Sequence, residues 1–213
     1  MYPLAKISVP EMEPFEMGIH SKTDIFVSEH LRINGIWEPF ETLVTTKLIK
    51  PGDIVYDIGA NIGYYSIIAS KLVKESGKVI SFEPEPTNFK LLKFNLKKNH
   101  CSNVVCEPLA VSDGVGVTHL YLSGDNLGDH RIYKSDSRRK RLRVQQINID
   151  NYPFASIENI DFVKIDTQGA EYKIISGMEE IISRYRDDIK VVVEFWPDGL
   201  DLAEDSAEKM LSL

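Results

Sequence analysis

A short segment at residues 57–63 has the residue types and spacing that bring a ligand against the backbone. It contains Asp57, Gly59, Ala60, Asn61 and Gly63, between a predicted strand and a predicted helix. Glycines there let the chain turn tightly and let its backbone approach a ligand. The spacing differs from the Gly-x-Gly-x-x-Gly loop that holds a dinucleotide diphosphate. Asp57 would repel phosphate but suit an ammonium group; the alternative is a tight turn without a ligand.

A second chemical signal stands where the next predicted strand ends, at Phe82-Glu83-Pro84. A carboxylate about 20 residues beyond such a glycine segment can accept hydrogen bonds from both hydroxyls of a ribose. Pro84 has no N–H group and fixes the chain as it leaves the sheet. The two signals together indicate a nucleoside that carries an amino acid, and S-adenosylmethionine fits this description. The alternative for Glu83 is a solvated acid at a strand end.

The elements that must position these residues alternate between strand and helix. Apolar runs predict strands at 54–58, 78–82, 104–106, 162–165 and 191–195, and helical spacing predicts helices at 62–73, 87–99 and 172–185. This alternation predicts a doubly wound, mostly parallel α/β sheet. Residues 115–122 and 143–149 interrupt the pattern and predict a β insertion, with a polar surface loop at 123–142 between its strands.

The first part of the chain, residues 1–52, is predicted to be an N-terminal arm or cap in front of a domain at 53–213. Three prolines indicate a loosely structured stretch up to residue 15. Ile25 and Val27 indicate a short strand within residues 24–34, and residues 39–49 indicate a helix that ends before Pro51-Gly52.

Five motifs occur along the chain, at 57–63, 82–84, 110–113, 148–150 and 164–171. In these motifs the sequence resembles the FkbM-type family of S-adenosylmethionine-dependent methyltransferases. The resemblance implies a Rossmann-like class I methyltransferase fold and O-methylation of hydroxyl groups on small molecules or glycans. It also implies two further strands after Glu194, for which residues 196–213 leave no room, so we expect incomplete C-terminal strands. A cofactor-binding domain without transfer activity is therefore an alternative.

The resemblance also implies roles for individual residues. Gly59, Asn61 and Gly63 would line the cofactor together with Asp57, Ala60 and Pro84, and Glu83 would hold its ribose. Ala110 would lie near the adenine, with Asp113 close by. Asp166 would end the fourth strand, near the reacting methyl group.

Three residues are candidates for catalysis. Asp166 can stabilise positive charge or orient the acceptor hydroxyl; its alternative role is to cap the helix that begins near Gly169. Glu194 follows an apolar strand, where an acid is costly to bury without a partner. His130 lies in the polar loop and could act as a base, since an imidazole titrates near pH 6.5; the alternative is a solvated histidine.

Composition limits the partners. The 213 residues carry a net charge of −7, which disfavours nucleic acid or an anionic membrane as the partner. A basic run at residues 134–143 keeps an RNA-directed methyltransferase as an alternative. Two cysteines and dispersed histidines predict no disulfide framework and no metal site. The sequence has no signal peptide or membrane-spanning segment, so a cytoplasmic location is predicted.

Overall fold

The computed structural model describes residues 2–21, 24–134, 138–152 and 159–212. In chain order, its strands and helices are β1 (Leu4–Ile7), β2 (Phe15–Gly18), α1 (Val27–Asn34), α2 (Pro39–Leu48), β3 (Ile54–Ile58), α3 (Tyr64–Val73), β4 (Lys78–Phe82), α4 (Pro86–Lys98), β5 (Val104–Glu107), β6 (Ala110–Val111), β7 (Gly116–Leu122), β8 (Lys140–Ile147), β9 (Phe162–Ile165), α5 (Glu171–Ser176), α6 (Glu179–Arg184), β10 (Lys190–Val193), α7 (Pro197–Leu202) and α8 (Ala207–Leu211).

Five parallel strands form the central sheet, in the order β10-β9-β3-β4-β5. Side chains of successive strand residues point to opposite faces of a sheet. Val55 and Val79 accordingly pack with α3, whereas Tyr56 and Ile80 pack in a second cluster with α5. Because helices cover both faces, the doubly wound parallel fold predicted from the sequence is confirmed.

The predicted β insertion forms a separate three-stranded sheet, in the order β6-β8-β7. Strand β8 begins at Lys140, so the surface loop predicted at 123–142 is too long at its C-terminal end. Lys140 pairs with Leu122, and the ladder continues inward from there. Arg141 and Arg143 of β8 alternate with Leu142 and Val144, which pack in the small core of this sheet; this alternation is typical of a half-buried strand.

The N-terminal arm differs from two of the predictions. Residues 4–18 form the β1–β2 hairpin rather than a loose stretch, and Ala5 and Ile7 are buried on its inner face. The strand predicted within residues 24–34 is wrong, because α1 occupies most of this segment. Its buried residues Val27 and Leu31 lie one helical turn apart. The helix predicted at 39–49 is confirmed as α2.

The C-terminal part also departs from the sequence pattern at one point. The helix predicted at 172–185 is divided into α5 and α6 at Gly177, where an added Cβ atom would lie 2.3 Å from the carbonyl oxygen of Ser112. After β10, helices α7 and α8 follow, and no further strand occurs in the part that the structure describes, through residue 212.

Among the described residues, no helix combines the length and apolar character needed to cross a membrane.

Candidate active site

A cavity lies at the carboxyl ends of β3, β4 and β9, where ligands bind in open parallel sheets. Its wall combines residues of the N-terminal arm, the central sheet and the loop after β7. The residues that line it include Val27, Trp37, Glu38, Gly59, Ala60, Asn61, Tyr65, Glu83, Pro84, Asn88, Ala110, Leu127, Gly128, His130, Lys164, Asp166 and Gln168.

The glycine segment after β3 brings two strand ends into close approach. Gly59 has a φ of +86°, and a Cβ atom there would lie 1.9 Å from the carbonyl oxygen of Asp166. Glycine is therefore required both for its backbone conformation and for the space. The amides of Gly59 and Ala60 both donate to the carbonyl of Phe82, at 3.1 and 3.0 Å. These N–H groups are used within the protein, so the segment does not form the open row of donors that a diphosphate needs.

Glu83 is the carboxylate at the end of β4, and its side chain is buried. One of its oxygens accepts the amide of Asn61 at 2.9 Å, and the other accepts the amide of Glu85 at 2.8 Å. An ionised carboxylate has about four acceptor positions, so about two remain for a ligand. Burial raises the pKa of Glu83 to about 8, although these two amides oppose the shift.

Asp166 follows β9 and forms a hydrogen-bonded group with its neighbours. Lys164 donates to Oδ2 of Asp166 at 2.9 Å, and Gln168 donates to Oδ1 at 3.1 Å. Gln168 also donates to Glu194 at 2.7 Å. The side-chain amide of Gln168 thus joins the carboxyl groups of Asp166 and Glu194. The alternative role of Asp166 as a helix cap is absent, since Ala170 occupies the cap position of α5 and no side chain caps it.

The two acids of this group are held in different protonation states. Burial would raise the pKa of Asp166, but the charge and hydrogen bond of Lys164 outweigh it and keep this pKa below its usual value. Burial and the nearby charge of Asp166 raise the pKa of Glu194 to about 8. At neutral pH, Asp166 is therefore ionised and Glu194 carries the proton of the pair. The pKa values of two neighbouring carboxyl groups separate in this way because ionising both is costly.

His130 also lines the cavity, through the loop after β7. Its Nδ1 atom accepts the amide of Ser123 at 3.1 Å, and burial lowers its pKa. The neutral ring therefore carries its proton on Nε2, and the lone pair of Nδ1 is occupied by the amide of Ser123. This arrangement suits a hydrogen-bond donor, and it makes His130 a weaker candidate for the proton acceptor than Asp166.

Seven of the predicted cofactor residues line the cavity, namely Gly59, Ala60, Asn61, Glu83, Pro84, Ala110 and Asp166. Three others do not. Asp57 is buried behind the glycine segment, where its carboxylate accepts the hydroxyl of Ser66 at 2.6 Å. Gly63 permits close packing, since a Cβ atom there would lie 2.6 Å from Leu92. Asp113 is exposed, because the chain leaves the central sheet at β6 and carries it away from the cavity.

Sequence reasoning missed three residues of the cavity wall. Lys164 and Gln168 lie inside the motif at 164–171, which predicted no role for either, and Glu38 lies outside every predicted motif. One local signal accompanies two of them in the structure: Glu38 and Gln168 have left-handed φ angles of +41° and +59°, and the cavity residue Asn61 has +49°. Residues other than glycine rarely adopt this conformation, and such strain concentrates at functional sites.

The model of the methyltransferase FkbM domain matches residues 57–211 of this chain. The chain belongs to the FkbM methyltransferase family. It is therefore a methyltransferase, with S-adenosylmethionine as its cofactor. Methyltransferase sdnD of Sordaria araneosa is 27% identical over 178 residues, which span 68% of each chain. The 31-O-demethyl-FK506 methyltransferase FkbM of Streptomyces tacrolimicus is 38% identical over 94 residues, or 44% of this chain and 35% of that protein.

Among solved structures, a precorrin-6y C5,15-methyltransferase from Geobacter metallireducens GS-15 aligns with a TM-score of 0.48 and 17% identity. The alignment covers 84% of this chain and 73% of that chain.

The residues of the cavity fit this cofactor. Glu83 keeps free acceptor positions for ribose hydroxyls. The amides of Gly59 and Ala60 are already used, which matches a cofactor without phosphate groups. Several carboxyl groups line or adjoin the cavity beside one lysine, and this negative balance suits a ligand that carries a sulfonium and an ammonium group.

Proposed function

We propose that this FkbM-family methyltransferase transfers a methyl group from S-adenosylmethionine to a hydroxyl group of a small molecule or a glycan. The observation that carries the proposal is that one cavity holds Glu83 and Asp166 at the ends of the two strands that flank β3. The first has acceptor positions for a ribose, and the second is an ionised carboxylate. The relative from Streptomyces tacrolimicus, whose name gives an O-demethyl compound as its substrate, supports an oxygen acceptor.

The cofactor side of the proposed site is formed by the glycine segment and β4. Backbone atoms of Gly59, Ala60 and Asn61 would contact the cofactor, Glu83 would accept its ribose hydroxyls, and Ala110 would lie against its adenine. When bound, the cofactor supplies a methyl group activated by a positively charged sulfur. The chain contributes mainly position, because methyl transfer needs the acceptor oxygen in line with that group.

Asp166 is proposed to act on the acceptor. Its carboxylate accepts a hydrogen bond from the acceptor hydroxyl, which orients the oxygen toward the methyl group and takes up the proton. A carboxylate with a low pKa suffices, because an oxygen that gains a methyl group becomes strongly acidic. Lys164 and Gln168 hold this carboxylate in place, and Glu194 is proposed as a positioning residue that acts through Gln168, from which it accepts a hydrogen bond.

The acceptor is proposed to contact the N-terminal arm and the loop after β7. Val27 and Trp37 of the arm line the cavity together with Leu127 and Gly128 of the loop, and Gly128 packs against Val27. These contacts support a division into an arm at residues 1–52 that selects the acceptor and a methyltransferase domain at 53–213. The cytoplasmic location stays a prediction from the sequence.

Calorimetry and a labelled transfer assay test this proposal. The wild-type protein should bind S-adenosylhomocysteine, and Glu83→Ala should weaken binding by at least about 1.5 kcal/mol, as expected for charge-assisted hydrogen bonds. S-adenosylmethionine with an isotopically labelled methyl group is then incubated with a panel of apolar alcohols, glycans and RNA. Label on an oxygen of a small molecule or glycan supports the proposal. Label on RNA, label on nitrogen or carbon, or no binding of S-adenosylhomocysteine contradicts it.

A further inference from the structure

Glu38 belongs to the N-terminal arm, outside the segment matched by the family model. We propose that its carboxylate recognises the positive charge on the amino-acid half of the cofactor. This half carries a sulfonium and an ammonium group, and both are cations. The inference rests on the proposed assignment of the cavity to the cofactor.

The backbone holds Glu38 in an unusual conformation at the cavity wall. It occupies the cap position of α2 with a φ of +41°, directly before Pro39. The left-handed region costs a residue other than glycine roughly 1 kcal/mol or more. The amide of Thr42 donates to the carbonyl of Glu38 at 2.9 Å, and the hydroxyl of Tyr65 donates to its carboxylate at 3.1 Å. The structure around Glu38 thus maintains a strained residue whose side chain lines the cavity.

Within the described part of the chain, the negative charges around Glu38 outnumber the positive ones. The nearby cation is Lys164, whose ammonium group donates to Asp166 at 2.9 Å. Among the described residues, the carboxylate of Glu38 has Tyr65 as its only hydrogen-bond donor. Burial raises the pKa of Glu38, and the negative charge of Asp166 raises it further. A cation in the cavity would offset both effects, because opposite charges attract strongly where water is excluded.

The chain offers a matched pair of variants. Glu38→Gln keeps the size of the side chain and removes its charge. Glu41→Gln removes one charge from an exposed residue at the start of the same helix, outside the cavity wall. Tyr65→Phe removes the hydroxyl that holds Glu38 and provides a second route to the same test. Thermal unfolding and circular dichroism verify that each variant is folded.

Isothermal titration compares three ligands that differ in charge. S-adenosylmethionine carries the sulfonium and the ammonium, S-adenosylhomocysteine carries only the ammonium, and 5′-methylthioadenosine carries neither. Glu38→Gln should lower the affinity for S-adenosylmethionine by about tenfold or more, as for the loss of a charge-assisted contact. The affinity for 5′-methylthioadenosine should change by less than about twofold. Tyr65→Phe should act in the same direction with a smaller change, and Glu41→Gln should change the three affinities by less than about twofold.

The two cations are distinguished by S-adenosylhomocysteine. If Glu38→Gln lowers the affinity for S-adenosylmethionine alone, the carboxylate of Glu38 faces the sulfonium. If the variant lowers the affinity for both charged ligands, the carboxylate faces the ammonium. Equal changes for all three ligands, or no change for any of them, overturn the inference. Glu83→Ala separates this failure from that of the proposed site, because it should weaken all three ligands, which share the ribose. An unchanged affinity in Glu83→Ala would instead contradict the site assignment.

Discussion

The ammonium nitrogen of Lys164 lies 2.9 Å from Oδ2 of Asp166, and the lysine side chain is buried. The same ammonium lies 4.2 Å from the centre of the Tyr65 ring. Burial would lower the pKa of Lys164, but the charges of Asp166 and Asp57 raise it above its usual value. One lysine therefore pairs with Asp166 and also attracts the buried Asp57, at the point where β3 and β9 end.

This relationship predicts a large effect of Lys164 on stability. Lys164→Met should lower the free energy of unfolding by about 3 kcal/mol, because it leaves the Asp166 carboxylate without its buried ion-pair partner. Urea denaturation measures the change. The control is Lys47→Met, which removes an exposed ion pair with Glu11 and should cost less than about 1 kcal/mol. Equal losses in the two variants would contradict the role given to Lys164.

Asp166 should matter for transfer rather than for binding. Asp166→Asn keeps the shape of the side chain but removes its negative charge, so turnover should fall by about 100-fold or more. The affinity for S-adenosylhomocysteine should stay within about threefold, since Glu83 and the glycine segment remain intact. Transfer to the acceptor found in the labelled screen and calorimetry measure the two quantities. A fully active variant would remove Asp166 from catalysis.

Cofactor binding should depend on pH through Glu83. Its pKa is raised to about 8 by burial, and ribose hydroxyls donate best to the ionised form. The affinity for 5′-methylthioadenosine should therefore rise with pH up to about 8 and then level off, with proton release on binding below that pH. This ligand is used because it has no titratable amine. Calorimetry in buffers of different ionisation enthalpy measures the released proton.

Two variants identify the titrating group. Glu83→Gln should abolish this pH dependence. Glu194→Gln should preserve it, although the pKa of Glu194 is also raised to about 8, because Glu194 does not line the cavity. If the pH dependence disappeared in Glu194→Gln and survived in Glu83→Gln, the titrating group would be Glu194, and the prediction for Glu83 would be contradicted.

Gly59 should tolerate no side chain. In Gly59→Ala the new Cβ atom would overlap the carbonyl oxygen of Asp166 and the residue would keep a φ of +86°, so we expect a loss of at least about 3 kcal/mol in unfolding free energy. Gly124→Ala is the control, since nothing lies within 4 Å of its Cβ position. Urea denaturation should show a change below about 1 kcal/mol for the control. Similar values for both would show that β3 and β9 can separate.

The sequence predicted the parallel sheet and the chemistry of its strand ends. Apolar runs bounded by glycine and proline located β3 and β4, and Glu83 followed from its place after a strand. These features depend on local patterns, which a sequence displays directly. The arm was predicted less well, because Ile25 and Val27 fit a strand locally, whereas the packing of Val27 and Leu31 into the common core favours a helix.

Only the tertiary structure decided which charged side chains lie close together. Glu38 and Lys164 are distant in the chain but line one cavity, and Gln168 of the cavity wall donates to Glu194; no local spacing records that arrangement. The structure also placed Asp57 behind the cavity wall and Asp113 at the surface, although both stand in the predicted motifs. A motif specifies residue types along the chain, whereas burial, charge pairing and protonation depend on which distant segments the fold brings into contact.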